Sequence, residues 1–173
     1  EQIAQELSKM VKPDTAIIAS AYAPWDSLSI SSYAYSKSAP VFLTSEDGAL
    51  SDATLEAIRS IPSIRRIVIV GGSAAVSPRV ESQLSAYSID RWWGQTRYET
   101  SSCIAENAIS EGLSASCVAF ASGASFPDAL SGGALVGERG GVTLLVSPTS
   151  LGECRSFIFK HWGAMGTCFI FGG

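Results

Sequence analysis

Apolar residues along this chain fall into two spacings that take turns. Short continuous runs rich in β-branched side chains occupy residues 15–20 (TAIIAS), 41–44 (VFLT), 67–70 (IVIV) and 88–93 (SIDRWW). Between them the apolar positions spread out to helical spacing, as in Ile3, Leu7, Met10 and Val11, in Leu55, Ile58 and Ile61, and in Val80, Leu84 and Tyr87. The first spacing predicts strands buried on both faces, and the second predicts helices with one apolar side. Helices are expected over residues 1–11, 25–38, 51–61 and from 77 onward. The punctuation agrees: Pro13, Pro40 and Pro62 end helices, Ser51 can cap the third, and Ser77-Pro78 sets a capping serine before a proline in the first helical position. The order then recurs, with helices over 98–111, 128–138 and 152–162 and strands over 117–121, 142–146 and 167–171. Parallel neighbours need crossover connections, so this alternation implies parallel sheets with helices on both faces. The expected fold class is α/β: tandem three-layer αβα modules with mainly parallel sheets, Rossmann-like or flavodoxin-like.

The second half repeats the first. ASAYAPWDSL at residues 19–28 aligns with ASGASFPDAL at 121–130, an offset of 102 that keeps Asp26 with Asp128 and Leu28 with Leu130. PVFLTS at 40–45 meets VTLLVS at 142–147, and RIVIVGG at 66–72 meets TCFIFGG at 167–173. The seam is RWWGQTRYET at 91–100. A period of this size marks tandem units, here expected as residues 1–87 and 88–173. Each is short of one element: the first lacks an opening strand and the second a closing helix. They are expected to complete one another within the chain or between chains, and the sequence reads as a piece of a longer one.

Composition narrows the partners. Twelve Lys plus Arg stand against 16 Asp plus Glu, a net charge of −4, so there is no basic field to gather nucleic acid. No apolar run reaches the roughly 18 residues of a membrane span, so membrane insertion is not expected. Cys103, Cys117, Cys154 and Cys168 all lie in the second copy and form no C-x-x-C pair, which argues against zinc. Cys117 and Cys168 open two strands that could be neighbours, leaving a disulfide open beside the favoured reading of small buried hydrophobes.

Candidate chemistry is sparse. The strand–Gly-Gly–helix stretch at 67–77 invites a phosphate-loop reading but lacks the lysine and glycine fingerprints, so a tight turn is favoured. Asp26 and Asp128 recur just after a strand, where open α/β sheets carry functional groups, although each also suits a helix cap. Arg97, beside Tyr98 and Glu99 at a helix mouth, can pair with a carboxylate of the protein or of a ligand. Adjacent Trp92 and Trp93 must point to opposite faces of a strand, one into the core; Trp25 and Trp162 join them as possible stacking surfaces for sugar rings. Lys37 and Arg139 are the one recurring positive charge. His161, the single histidine, reads as a surface side chain, and a Ser/His/Asp hydrolase has little support.

Arg91, Gly94, Arg97, Tyr98, Glu99 and Thr100, followed by Phe126-Pro127-Asp128-Ala129-Leu130, Leu144-Leu145 and Gly172-Gly173, resemble the cell wall binding repeat type 2 family. The first copy departs from the pattern, with APWDSL in place of Phe-Pro-Asp-Ala-Leu and Phe42-Leu43 in place of Leu-Leu. The resemblance implies a noncatalytic, cofactor-free module of an exported Gram-positive surface protein, held noncovalently to an anionic secondary wall polymer. It also implies association with further copies of the repeat, and an extracellular place in the cell wall. It carries over Lys37, Phe42, Leu43, Arg97, Tyr98, Asp128, Arg139, Leu144 and Leu145 as candidate ligand contacts. The alternatives are an enzyme acting on wall glycans or nucleotides through the strand-end loops near Asp128, and a purely structural assembly module.

Overall fold

A computed structural model of the chain describes residues 2–4, 6, 11–124, 127–147, 152 and 154–171, with the backbone alone for 127–131. The elements run β1 (Thr15–Ala19), α1 (Pro24–Ser36), β2 (Val41–Leu43), α2 (Asp52–Arg59), β3 (Arg66–Val70), α3 (Arg79–Gln83), β4 (Ser88–Trp92) and α4 (Arg97–Ser110). Then come β5 (Cys117–Ser122), α5 (Pro127–Glu138), β6 (Val142–Val146), α6 (Arg155–His161), a 3-10 turn and β7 (Thr167–Phe171). The strands form two sheets, ordered β2-β1-β3-β4 and β6-β5-β7, and every pairing between them is parallel. This is the α/β alternation expected from the sequence.

Of the two serines expected to cap, Ser51 does and Ser77 does not, while Thr96, not foreseen as a cap, caps α4. Ser51 accepts from the Thr54 N–H at the start of α2, and Thr96 accepts from the Glu99 N–H at the start of α4. Ser77 does not cap in the expected way: α3 is a five-residue helix whose cap position is Pro78, although Val80 and Leu84 are buried as the spacing implied. The short α3 returns the chain beside β3, so β4 pairs along it from Arg66↔Ser88 to Val70↔Trp92. The strand expected to open the second copy, which follows the 87/88 boundary in sequence, therefore closes the first sheet.

Alternation assigns the two faces of the first sheet. Ile18, Ile67 and Ile69 pack under α2 and α3 with Leu55, Ile58, Val80 and Leu84. On the opposite face Ile17, Ala19, Val68, Val70 and Trp92 meet Ile30 and Tyr33 of α1, but also Ile104, Ala105 and Ala108 of α4. The same cluster continues into Val118, Val142 and Leu144 of the second sheet and Phe157 of α6. A helix of the second copy thus fills the core of the first. On its other side α4 covers the edge of β6, where buried Ser101 Oγ accepts from the Leu145 N–H at 2.8 Å.

Equivalent helices of the two copies also meet. A side chain on Gly133 would collide with Ser31 Oγ, its counterpart at the 102-residue offset, and a Cβ on Gly137 would lie 2.8 Å from Tyr35 Cβ, its own counterpart. Two successive contacts at one offset mean that α1 and α5 run in the same direction, and the glycines let their backbones close in. At the far end of this contact Arg66 grips Glu111 through two bonds, at 2.6 and 2.9 Å, while its Nε holds Asp90 at 2.7 Å. Tyr33 Oη donates to the same Glu111 carboxylate at 2.6 Å. Arg66 holds that carboxylate below its usual range, and burial together with the glutamate pushes the Tyr33 hydroxyl up.

Register separates two of the cysteines. Cys117 lies opposite Thr167 and Cys168 opposite Val118, so their side chains emerge on opposite faces and cannot bridge. Cys117 is buried, whereas Cys168 and Ile170 on β7 are exposed.

The close approach of α1 and α5 has a measurable cost when filled. Gly133→Ala is expected to destabilise the fold by about 2 kcal/mol, within the range for overpacking. Ser31→Gly, itself unfavourable in a helix, recovers part of that loss in the double variant, so a denaturation double-mutant cycle reads a nonadditive pair.

Candidate functional site

In an open parallel sheet, strand C-terminal ends next to a reversal of strand order leave a crevice that the helices do not fill. Here β1 connects outward to β2, and the chain then crosses back to β3, so the reversal lies between β1 and β3. The loops that follow them, with the loop after β4, enclose a cleft of about 550 Å³ lined by Trp25, Asp26, Gly72, Ser73, Trp93, Gln95 and Arg97, among others. A second depression of about 400 Å³ adjoins it, sharing Ala23, Ser73, Ala74 and Ala75 and reaching Tyr22, Glu46 and Asp47. Together they make an extended groove along the C-terminal edge of the first sheet.

The seam builds one wall. Arg91 donates to Glu81 through Nε and to the carbonyls of Gly71 and Val76 through Nη1, which fixes the turn after β3. Gly71 adopts φ +103, and a Cβ there would lie 2.6 Å from Asp26 Oδ2, so only glycine suits the position. The amides of Gly71, Ala75, Val76 and Ser77 already donate to carbonyls, so they form no phosphate cradle. As alternation requires, Trp92 enters the core and stacks edge-on with Tyr33, while Trp93 is 46 % exposed and lies over Gly72 in the cleft. Thr100 Oγ1 accepts from the Gly94 N–H and Glu99 accepts from the Gln95 N–H, pinning the chain from β4 to α4.

Arg97 crosses between the copies. Its guanidinium lies 3.6 Å from the Trp25 ring centroid, and Nη1 donates to the Gly123 carbonyl at 2.9 Å. It makes no ion pair with Glu99, and its other N–H donors have no acceptor among the described residues. Tyr98 packs against Gly123 and joins Trp25, Leu28 and Leu145 in a small apolar cluster.

Asp26 is the unusual member of the cleft. It sits in the first turn of α1 but does not cap the helix, whose cap position is Ala23 with Pro24 following. Its side chain is 6 % exposed, and among the described residues no group donates to its carboxylate. Burial raises its pKa to about 6 against the opposing pull of Arg97. Beside it, the Trp25 Nε1–H is also buried, with no acceptor among the described residues.

The remaining sequence candidates lie elsewhere. Leu144 and Leu145 have no exposed surface and Phe42 has 3 %, so these three are core; Leu43, on edge strand β2, is half exposed. Lys37 and Arg139 sit where α1 and α5 end, at the opposite end of the sheets from Arg97. Lys37 donates to the Glu111 carbonyl and Arg139 lies over the Phe169 ring. Asp128 falls in α5 with its side chain outside the described residues, as are Phe126, Gly172 and Gly173. His161 is not a surface side chain: it is 14 % exposed, packs on Phe157 and meets Glu106 at 3.0 Å, because the last turn of α6 lies against α4. Sequence reasoning singled out Trp25, Asp26 and Trp93 one by one but did not join them, and it missed Ser73 and Gln95. Their shared signal is position, each following the C-terminal end of a strand.

The family profile described as Cell wall binding domain 2 matches residues 1–81 and 91–173. The chain is 29 % identical to the amidase enhancer of Bacillus subtilis (strain 168) over 171 residues, which are 98 % of this chain and 22 % of that protein. It is 27 % identical to N-acetylmuramoyl-L-alanine amidase LytC of the same organism, covering 99 % of this chain and 33 % of that one. Cwp6 from Clostridium difficile superposes with a TM-score of 0.81 at 22 % identity, covering 97 % of this chain and 26 % of its own. Cwp8 from the same organism gives 0.76 at 23 %, covering 98 % and 29 %. The chain therefore spans a third or less of each relative's length.

Asp26 sets a pH signature. Its folded pKa lies above its unfolded one, so the folded state holds the proton more tightly, and stability falls as pH rises from 3.8 to about 6. Asp26→Asn is expected to remove that slope and to stabilise the fold near neutral pH by up to about 3 kcal/mol. Thermal melts of both proteins from pH 4 to pH 7 check it.

Proposed function

Because the chain belongs to the Cell wall binding domain 2 family, whose modules bind cell walls, we propose that it holds a larger exported protein to an anionic secondary wall polymer seated in the groove at the end of the first sheet. Its place is the cell wall or cell surface. The observation that carries the reading is Arg97: a cation fixed by Trp25 and Gly123 at the groove, with donors that meet no acceptor among the described residues. A planar guanidinium in that position suits the carboxylate or phosphate groups of an anionic chain. The groove's length suits a polymer better than a compact molecule, since its two depressions run into one another.

The role is attachment without catalysis. Among the described residues lining the groove the carboxylates are Asp26, with Glu46 and Asp47 in the adjoining depression, and no histidine or cysteine accompanies them as a base or nucleophile. Weak contacts at one groove gain strength when copies act on one repetitive polymer, because linkage raises the effective concentration of the second site. Further copies of the repeat are the natural neighbours of β7, whose Cys168 and Ile170 are exposed where their counterparts Ile67 and Ile69 on β3 are buried under α2 and α3.

The test is retention of the chain on purified Gram-positive walls across a salt series, before and after removal of the anionic secondary polymer. Binding is expected to weaken with salt, to disappear with the polymer, and to fall about tenfold in Arg97→Gln. Equal retention on stripped walls would overturn the reading.

A further inference from the structure

The cleft contains more than a cation. Asp26 is 94 % buried, by its 6 % exposure, and lines the cleft with no donor to its carboxylate among the described residues. A buried acceptor left unmade costs free energy that a ligand donor would recover. Trp25 Nε1–H, a buried donor with no acceptor among the described residues, stands beside it. Arg97 influences the Asp26 carboxylate through its charge, yet no ion pair closes the gap between them among the described residues. Acceptor and cation are thus both turned to the same space and neither satisfies the other. The opposite wall is the half-exposed ring of Trp93, and the small side chains of Gly72, Ala74 and Ala75 leave room in front of it.

A bare anion would use Arg97 alone and leave Asp26 repelling it. A simple cation would satisfy Asp26 but meet Arg97 as a like charge. A ligand that satisfies all three surfaces carries neutral O–H or N–H donors, a flat apolar face and an acidic group on one small frame. Resting on the polymer-binding reading, we propose that the cleft takes one pyranose ring of the polymer together with its acidic substituent. The ring face lies on Trp93, a hydroxyl or acetamido N–H donates to Asp26, and the acidic group accepts from Arg97. This makes the groove selective for an acidic sugar over an anionic chain that has no rings.

The experiment measures binding of the chain, by titration calorimetry, to soluble secondary polymer released from Gram-positive walls and to inorganic polyphosphate of matched charge. Wild type is expected to prefer the wall polymer by about tenfold or more, roughly what one ring face and one hydrogen bond carry. Trp93→Ala is expected to lower wall-polymer binding to the polyphosphate level without changing polyphosphate binding, Asp26→Asn to lower wall-polymer binding while polyphosphate binding rises as the repelling charge is lost, and Arg97→Gln to lower both. Trp93→Phe, which keeps an aromatic face, retains most of the preference and guards against a folding defect in the alanine variant. If Trp93→Ala and Asp26→Asn bind the wall polymer as wild type does while Arg97→Gln does not, the sugar site is wrong and charge-based anchoring stands. If wild type binds the polymer no better than polyphosphate, the sugar site is likewise overturned. If it does not bind the polymer at all, the anchoring reading fails with it.

Discussion

Helix α4 has to satisfy two sheets at once. Ile104, Ala105 and Ala108 complete the core of the first sheet, and Ser101 closes the hydrogen-bonding edge of β6 in the second. Burial of an apolar face is the largest favourable term available to a chain of this size, so a helix shared in this way binds the two copies into one core. The Arg66–Glu111–Tyr33 network then fixes their rotation, because its members come from β3, from the end of α4 and from α1. Removing Glu111 would leave Arg66 with Asp90 alone as its ion-pair partner, and removing Arg66 would leave the half-buried Glu111 carboxylate with the Tyr33 hydroxyl but without its bidentate cation, so the network specifies an arrangement more than it adds net stability.

The placement of α4 also explains the groove. The segment from β4 into α4 must turn at Trp93–Thr96, and that turn hangs over the strand ends of the first sheet. It brings Arg97 onto Trp25 and Trp93 onto Gly72. The Arg-x-x-Gly-x-x-Arg-Tyr-Glu-Thr segment is therefore mostly structural in this molecule: Arg91, Glu99 and Thr100 brace the backbone, and Tyr98 packs. Among the described residues Arg97 keeps donors without an acceptor at the exposed face of the groove, whereas the spare Nη2 of Arg91 is buried.

Strand and helix order, the repeat and the parallel sheets were legible because each is written in local spacing. Ser51 caps as its chemistry suggests, and Trp92 and Trp93 divide between core and surface by alternation. What sequence could not supply was relations between distant elements. Lys37 and Arg139 recur in step, which looks like function, yet both sit at helix ends far from Arg97 along the sheets. Leu144 and Leu145 stand out as a motif because the core needs them, which is also why their side chains are inaccessible. Asp26 looked like a cap because aspartate near a helix start usually is one; only its burial with no donor among the described residues, visible once Gly71 and Arg97 are placed, gives it another meaning. The expected opening strand of the second copy went to the first sheet because α3 is too short to carry the chain elsewhere.

The central claim is where the wall polymer sits, and the amide and indole NMR spectrum of the labelled chain titrated with soluble secondary wall polymer tests it most directly. The account expects perturbations gathered on Trp25, Asp26, Ser73, Trp93, Gln95 and Arg97. Perturbations centred instead on Lys37, Leu43 and Arg139, with the cleft unchanged, would contradict it.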